Sequence, residues 1–222
     1  MKPIRYAWWW TLDYAYAIYW QVRSAITRPD TAQLREGAGR PVIVVPGIYE
    51  TWQFMRPMVD ALHEAGHPVH VVTLLQNNRL PVDRAAALVA DYLREQDLSD
   101  VAIVAHSKGG LIGKYVMMGA DAGARVHSMA AVCTPFSGSR YARFMLLPSL
   151  RAFSPTHAIT GRLAREVTVN ARITSIFGLF DPHIPEGSEL DGATNIRLPI
   201  GGHFRILGDR RCIDAVLEAV ER

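Results

Sequence analysis

From residue 41 onward, the sequence alternates short apolar runs with stretches of helical periodicity. This feature constrains the fold most, because a chain built of strand–helix repeats forms a parallel sheet covered by its crossover helices. The apolar runs are nearly continuous in Val, Ile and Ala, as in strands that are buried on both faces. The predicted strands are residues 41–45, 68–74, 101–105, 126–133, 172–177 and 194–198.

Helices are predicted between these strands. The stretch 82–96 has the clearest pattern, since its apolar residues fall on one stripe of a helix. The other predicted helices are residues 51–65, 108–120 and 204–220, with one or two short ones within 140–168. The 222 residues, of which 49% are hydrophobic and 20% charged, fit one globular domain and exclude a disordered or multi-span membrane protein.

The first 40 residues lie outside the repeat and are rich in aromatic side chains. Residues 6–22 carry eight aromatic residues and only one charge, Asp13. A central Asp disfavours a cleaved signal peptide, and in a membrane span it costs about 2.5–3.5 kcal/mol. Two interpretations are stronger: a helix lying in an anionic membrane interface, or a helix packed on the protein's own surface or on a second copy. The basic residues that flank it are Lys2, Arg5, Arg23 and Arg28.

The third predicted strand runs directly into a serine and then into a helix. The segment reads Ala105-His106-Ser107-Lys108-Gly109-Gly110. A turn this sharp strains the serine backbone and needs small residues two positions before and after it, where Ala and Gly stand. It would project the Ser107 hydroxyl from the carboxyl edge of the sheet, beside the N–H groups of a helix N-terminus. The pattern therefore indicates a nucleophile, with an ordinary helix N-cap as the alternative.

A serine nucleophile needs a histidine base, and that histidine needs a carboxylate to orient it. On this kind of sheet, the acid and then the base follow the serine along the chain. Asp181 follows the fifth predicted strand, and His203 follows the sixth. The carboxyl ends of parallel strands share one edge of the sheet, so we expect both side chains near Ser107.

Other titratable residues near these positions fit the two roles less well. His183 suits a loop residue, and His106, beside the nucleophile, suits packing or positioning better than base catalysis. Asp191 is typical of a turn, and Asp209 follows the predicted base, against the expected order.

The same chemistry needs two N–H donors for a developing oxyanion. One would be the backbone N–H of Lys108, and the other that of Ile48, in the loop after the first strand. Gly47 would let the backbone approach closely, although Pro46-Gly47 alone is also typical of a strand-ending turn.

On these residues the sequence resembles the α/β-hydrolases, and among them the small, nearly lid-less bacterial lipases of the Bacillus lipase A type. The resemblance covers about residues 41–222 and rests on Pro46-Gly47-Ile48, on the serine segment, and on the approaches to Asp181 and His203. It implies an α/β fold: a mostly parallel, minimal six-stranded sheet flanked by helices, with little or no cap. Residues 1–40 would then be an extra aromatic helical extension, and residues 41–222 the catalytic domain.

The resemblance further implies a carboxylic ester hydrolase, a lipase or esterase acting on lipid or medium-chain acyl esters. Ser107 would form the acyl-enzyme, His203 would be the base and Asp181 its partner, with Ile48 and Lys108 as the oxyanion hole. Such an enzyme needs no metal or organic cofactor. A thioesterase or acyltransferase with the same triad is the alternative, and a non-catalytic membrane-associated protein of this fold is less favoured.

Two departures from the family pattern affect the site. Lys108 stands where the family commonly has an apolar residue, so we expect its side chain to add charge near the mouth. The segment 140–168 is longer than in the smallest members and is either a short lid or acyl-chain wall, or a surface helix. Its apolar residues are Phe144, Met145, Leu146, Leu147, Leu150 and Phe153.

The expected partners follow from the same reading. They are an acyl ester or lipid substrate and a peripheral membrane contact through residues 6–22. Nucleic acid is disfavoured, because the net charge of +3 comes without a Lys/Arg-rich block. The favoured location is the bacterial cytoplasm or a membrane surface, with secretion as the alternative. Cys133 and Cys212 are 79 residues apart and lack zinc-ligand spacing, so two buried thiols are favoured over a disulfide.

Overall fold

The computed structural model describes residues 2–27, 29–144, 148–151 and 153–222. The six strands form one sheet in the order β2-β1-β3-β4-β5-β6, and every neighbouring pair is parallel. The predicted α/β class and six-stranded parallel sheet are therefore confirmed. The strands are β1 Val42–Val45, β2 Val69–Val71, β3 Val101–His106, β4 Val126–Val132, β5 Ile173–Phe180 and β6 Thr194–Gly201.

The central strands are apolar throughout because helices cover both faces of the sheet. Along β1, Val42 and Val44 face one core, and Ile43 and Val45 face the other. Helices α1, α2 and α8 close the first core, and α3 and α4 close the second. The helices are α1 Lys2–Ile26, α2 Arg56–Glu64, α3 Val82–Glu95, α4 Lys108–Met117, α5 Ala120–Arg125, α6 Pro148–Arg151, α7 Ala158–Arg165 and α8 Arg210–Glu221.

Several predicted boundaries are wrong in an informative way. The predicted second strand stops at Val71, and Thr73–Leu75 forms a 3₁₀ turn. The last predicted helix is divided because Asp209 accepts a hydrogen bond from the Arg211 N–H and starts α8 anew. Strands β5 and β6 each run three residues further than predicted, since their ladder continues past a bulge at Gly178. This extension brings both strand ends to the predicted site residues.

Helix α1 packs on the protein's own surface. Its inward stripe includes Asp13 and Trp20, and the Tyr16 hydroxyl donates a hydrogen bond of 3.0 Å to the Phe54 carbonyl. The helix lies against the end of β6 and against the 3₁₀ turns Trp52–Met55 and Arg205–Gly208. Of the two stronger interpretations of residues 6–22, packing on the same chain therefore describes the inner face. Within the described parts of the chain, none of the helices has the length and apolarity needed to cross a membrane.

Cys133 and Cys212 are both free and buried, as expected.

Candidate active site

Ser107 lies at the junction of β3 and α4 in a strained backbone conformation, with φ 51° and ψ −120°. Its side chain makes no capping hydrogen bond to α4, so the N-cap interpretation does not describe it. The turn depends on a glycine two residues later. A Cβ on Gly109 would lie 2.0 Å from the Val45 carbonyl oxygen, which no side chain could tolerate.

The structure brings together the three residues predicted to form a triad. His203 Nε2 lies 3.0 Å from Ser107 Oγ, and His203 Nδ1 lies 2.7 Å from Asp181 Oδ2. The other carboxylate oxygen accepts the N–H groups of His183 and Ile184, at 2.8 and 3.1 Å. Asp181 thus holds its own loop with one oxygen and the His203 ring with the other.

The charges of this triad follow from burial and from the contact between Asp181 and His203. Burial favours the neutral carboxyl, but the neighbouring His203 and the hydrogen bonds outweigh it and lower the pKa of Asp181. Burial likewise favours a neutral imidazole, but the charge of Asp181 and its hydrogen bond raise the pKa of His203 above its ordinary value of 6.5. With Asp181 ionised, His203 Nδ1 must donate, which leaves the Nε2 lone pair free to accept the Ser107 proton.

This charge pattern predicts how activity depends on pH. We expect kcat/KM to rise with pH through an apparent pKa above 6.5 and then level off, because only the neutral His203 can accept the Ser107 proton. Initial rates on a soluble ester between about pH 5 and 9 would measure it. A plateau already reached below pH 6.5 would contradict the assigned base.

The loops proposed to form the oxyanion hole meet at the nucleophile. Ile48 lines the same cavity as Ser107, and Lys108 is the first residue of α4. The expectation that the Lys108 side chain adds charge at the mouth is wrong. Its ammonium is buried and donates to the Asn78 carbonyl at 2.7 Å and to the Leu80 carbonyl. This burial lowers the pKa of Lys108 to about 8.

The apolar cavity over Ser107 has a volume of about 730 Å³. Most of its wall comes from α1, from the loop after β1, and from Ser139, Tyr141, Ala142, Leu150 and Phe153. Leu150 and Phe153, predicted as a lid or an acyl-chain wall, line it. The corresponding expectation for Met145–Leu147 lies outside the described residues, as does that for Arg28. The apolar lining residues include Trp10, Ala17, Ile18, Ile48, Phe54, Pro135, Ala142, Leu150, Phe153, Ile184 and Phe204.

His183 belongs to the cavity wall rather than only to a loop. Its ring centroid lies 4.9 Å from that of His203, and its N–H holds Asp181. Burial, with the neighbouring His203, lowers the pKa of His183 to about 4, so this ring is neutral at pH 7. It therefore adds no positive charge beside the base.

Among the described residues, one group of side chains has the spacing of a metal site: Cys133, Asp181 and His203, whose ligand atoms lie within 4.8 Å of one another. Burial raises the pKa of the Cys133 thiol, which keeps it protonated. A metal ion here would also displace the hydrogen bond between Asp181 and His203. These side chains therefore suit a hydrogen-bonded triad better than a metal centre.

Two buried acids at the site were not predicted from the sequence. Glu50 lies in the cavity wall, and nothing in its sequence context marks it. Asp13 gave a signal, since a lone charge in an apolar helix that packs inward needs a buried partner. Its Oδ1 accepts the N–H groups of Phe204 and Arg205, at 2.7 and 2.9 Å, directly after His203.

Asp13 therefore predicts a measurable cost of substitution. We expect Asp13→Ala to lower the free energy of unfolding by about 3 kcal/mol, because two buried N–H groups lose a charged acceptor. Asp13→Asn keeps an acceptor oxygen in place and should cost less. Urea unfolding of both variants measures the difference, and an equal cost for the two would contradict the role of these hydrogen bonds.

No protein-family model matches the sequence, and no curated protein matches it. Solved structures do match. The mature form of Bacillus licheniformis lipase BlEst2 is 15% identical, with a TM-score of 0.66 over 88% of this chain and 95% of that one. Aspergillus fumigatus lipase B is 18% identical, with a TM-score of 0.68 over 90% of this chain and 56% of that one.

The type II thioesterase BorB from the borrelidin biosynthetic cluster is 20% identical, with a TM-score of 0.58 over 88% of this chain and 98% of that one. At such identities the likeness shows the fold alone. The chain has the α/β-hydrolase fold, as its sequence predicted.

Proposed function

We propose that this protein is a serine hydrolase that cleaves carboxylic esters of lipids or medium-chain acyl groups. One observation carries the proposal: Ser107, His203 and Asp181 are hydrogen-bonded in series, and the serine opens into an apolar cavity. A hydroxyl aligned with the lone pair of a neutral imidazole is the arrangement that acyl transfer to serine needs.

In the first half of the reaction, Ser107 Oγ attacks the ester carbonyl carbon while its proton passes to His203 Nε2. The backbone N–H groups of Ile48 and Lys108 bind the oxyanion that forms. The tetrahedral intermediate collapses as His203 gives the proton to the leaving alcohol, which leaves an acyl group on Ser107. Asp181 stays ionised throughout and stabilises the imidazolium.

In the second half, a water molecule takes the place of the alcohol. His203 accepts a proton from this water, whose oxygen attacks the acyl carbonyl. The same two N–H groups bind the second oxyanion, and the proton returns to Ser107 Oγ as the acid is released. The complete cycle consumes one ester and one water molecule and releases one alcohol and one acid.

The cavity walls support an acyl chain as the group bound there. Burying an aliphatic chain against Phe153, Phe204 and their apolar neighbours is favourable by about 0.8 kcal/mol for each CH₂. We therefore expect kcat/KM to increase with acyl length until the cavity is full.

The test combines labelling with a substrate series. A fluorophosphonate should modify Ser107, as read by peptide mass spectrometry, and p-nitrophenyl esters of increasing chain length should give a maximum beyond acetate. Label on another residue, or none, would contradict the proposal. Acyl transfer to an added alcohol in preference to water, or preference for a thioester, would assign the alternative acyl-transfer chemistries.

We further propose that the outer face of α1 contacts a lipid surface. Asp13, the only charge in residues 6–22, is buried, so the face turned to solvent carries none. Trp8, Ile18 and Tyr19 are each more than half exposed on it. A helix that is apolar on both faces is normally covered on both. Large aromatic rings with a polar edge suit a membrane interface.

A lipid surface fits this face better than a second copy of the chain does. Trp10, Tyr14 and Ile18 are exposed on α1 and also line the cavity. Whatever covers the helix therefore meets the cavity opening. A protein partner there would obstruct the opening, whereas a lipid layer would supply ester substrate to it.

This proposal predicts a separation of binding from catalysis. Trp8→Gln with Tyr19→Gln should weaken binding to vesicles of mixed zwitterionic and anionic phospholipid by about tenfold or more, if each ring contributes on the order of 1 kcal/mol. Neither residue lines the cavity, so hydrolysis of a soluble ester should be unchanged.

The matched control replaces two equally exposed apolar residues elsewhere, Leu74→Gln with Val167→Gln. Vesicle co-sedimentation of the three proteins is the measurement. Equal binding of both variants and the parent would contradict the lipid contact. A change from dimer to monomer in the Trp8 and Tyr19 variant would instead assign the face to a second copy.

A further inference from the structure

A second imidazole–carboxylate pair lies directly beside the predicted triad. Glu50 and His106 are both buried, and His106 Nδ1 is 2.8 Å from Glu50 Oε2. The same carboxylate oxygen accepts the Gly47 N–H at 2.8 Å. On the far side of the ring, His106 Nε2 lies 2.9 Å from the His203 carbonyl oxygen.

The direction of these hydrogen bonds follows from chemistry. A carbonyl oxygen only accepts, so His106 Nε2 carries a proton and donates it to the His203 main chain. One proton lies between His106 Nδ1 and Glu50, and the backbone N–H of Gly47 completes the series. An unbroken chain of hydrogen bonds therefore runs from Gly47 through Glu50 and His106 to His203.

This series of hydrogen bonds connects the three functional segments of the predicted site. Gly47 precedes Ile48, the proposed oxyanion donor, and His106 precedes the nucleophile Ser107. His203 is the proposed base. A Cβ on Gly47 would lie 2.6 Å from a Glu50 carboxylate oxygen, so the glycine is what allows this close contact. Tyr49 takes the left-handed conformation, with φ 61°, that turns Glu50 back toward Gly47.

We infer that Glu50 and His106 are positioning residues that fix the oxyanion loop relative to the nucleophile and the base. The inference rests on the proposed function. Neither side chain exchanges protons with the substrate in this scheme. Their effect is geometric: a displacement of an oxyanion donor by about 1 Å costs on the order of 100-fold in rate.

The experiment compares Glu50→Ala, His106→Ala and the double variant in hydrolysis of a soluble ester. We expect each single substitution to lower kcat by about 10- to 100-fold with KM changed less than about twofold. The double variant should be little worse than either single one, since both break the same chain of contacts. Glu50→Gln keeps an acceptor for the Gly47 N–H but loses the proton that Glu50 shares with His106 Nδ1, so it should recover only part of the activity lost in Glu50→Ala.

A second readout separates positioning from a general loss of structure. A trifluoromethyl ketone forms an oxyanion on Ser107, whereas the matching trifluoromethyl alcohol, which has no carbonyl group, does not. Loss of positioning should weaken the ketone at least about tenfold more than the alcohol, at temperatures well below unfolding. His127→Ala is the matched control, because it breaks an imidazole–carboxylate pair with Asp100, of 2.9 Å, outside the cavity lining.

Several outcomes would overturn the inference. They are unchanged kcat in the alanine variants, equal weakening of both inhibitors, additive effects in the double variant, or a His127→Ala loss as large as that of His106→Ala. If the wild-type protein neither hydrolyses esters nor reacts with a phosphonate, the proposed function fails, and this inference fails with it. If the wild-type protein is active and the variants keep its kcat, only the positioning role is overturned.

Discussion

Replacing Ser107 with alanine is expected to lower ester hydrolysis by about 10⁴- to 10⁶-fold. The substitution removes the atom that forms the acyl-enzyme, and no other hydroxyl lies in hydrogen-bond contact with His203 among the residues that the structure describes. The remaining rate would come from the oxyanion donors and substrate binding alone. Steady-state hydrolysis of a soluble ester, with active-site titration of the wild type, measures the effect.

The fold should survive this change, because Ser107 Oγ supports no part of the turn. The backbone conformation at Ser107 is held by the Gly109 contact and by its N–H, which donates to the Val132 carbonyl at 2.8 Å. Ser128→Ala on β4 is the matched control, since that hydroxyl is buried, has no hydrogen-bond partner among the described residues and lies outside the cavity lining. A Ser107→Ala protein with more than about a hundredth of the parent activity would exclude the acyl-enzyme route.

The sequence was most informative where one residue type is required by backbone geometry. The small residues around Ser107 mark a strained turn, because no larger side chain fits at position 109. Parallel strands then place all loops after their carboxyl ends on one edge, so chain order alone located Asp181 and His203. The first feature is local in sequence and the second needs only the order of the strands, so both can be read without a structure.

Contacts between distant segments that no functional role links could not be predicted in this way. Glu50 and His106 are 56 residues apart, and Asp13 lies 191 residues before the Phe204 N–H that it accepts. No periodicity or spacing links such pairs. The side chain of Lys108 is a further case. Its residue type indicated a charge at the mouth of the cavity, but the ammonium is buried because it donates to the carbonyl groups of Asn78 and Leu80. Burial depends on the assembled loops rather than on the residue itself.

Asp181→Asn should lower kcat by about 10³- to 10⁴-fold through the tautomer of the base. The Asn oxygen can keep the N–H groups of His183 and Ile184, which leaves its NH₂ group facing His203 Nδ1. That nitrogen must then accept instead of donate, so Nε2 carries the proton and faces Ser107 as a donor. A base in this tautomer cannot accept the serine proton.

The same substitution also removes the charge that raises the pKa of His203. The residual activity should therefore reach its plateau at lower pH than the wild type, while the free energy of unfolding changes little because the loop hydrogen bonds remain. Asp191→Asn and Asp209→Asn are the matched controls, since these are the rival acids of the sequence and neither contacts His203 through a hydrogen bond in the described residues. Equal losses in Asp181→Asn and either control would show that the carboxylate of Asp181 does not orient the base. A large loss confined to Asp181→Asn, with the shifted pH profile, would separate its electrostatic role from its support of the loop.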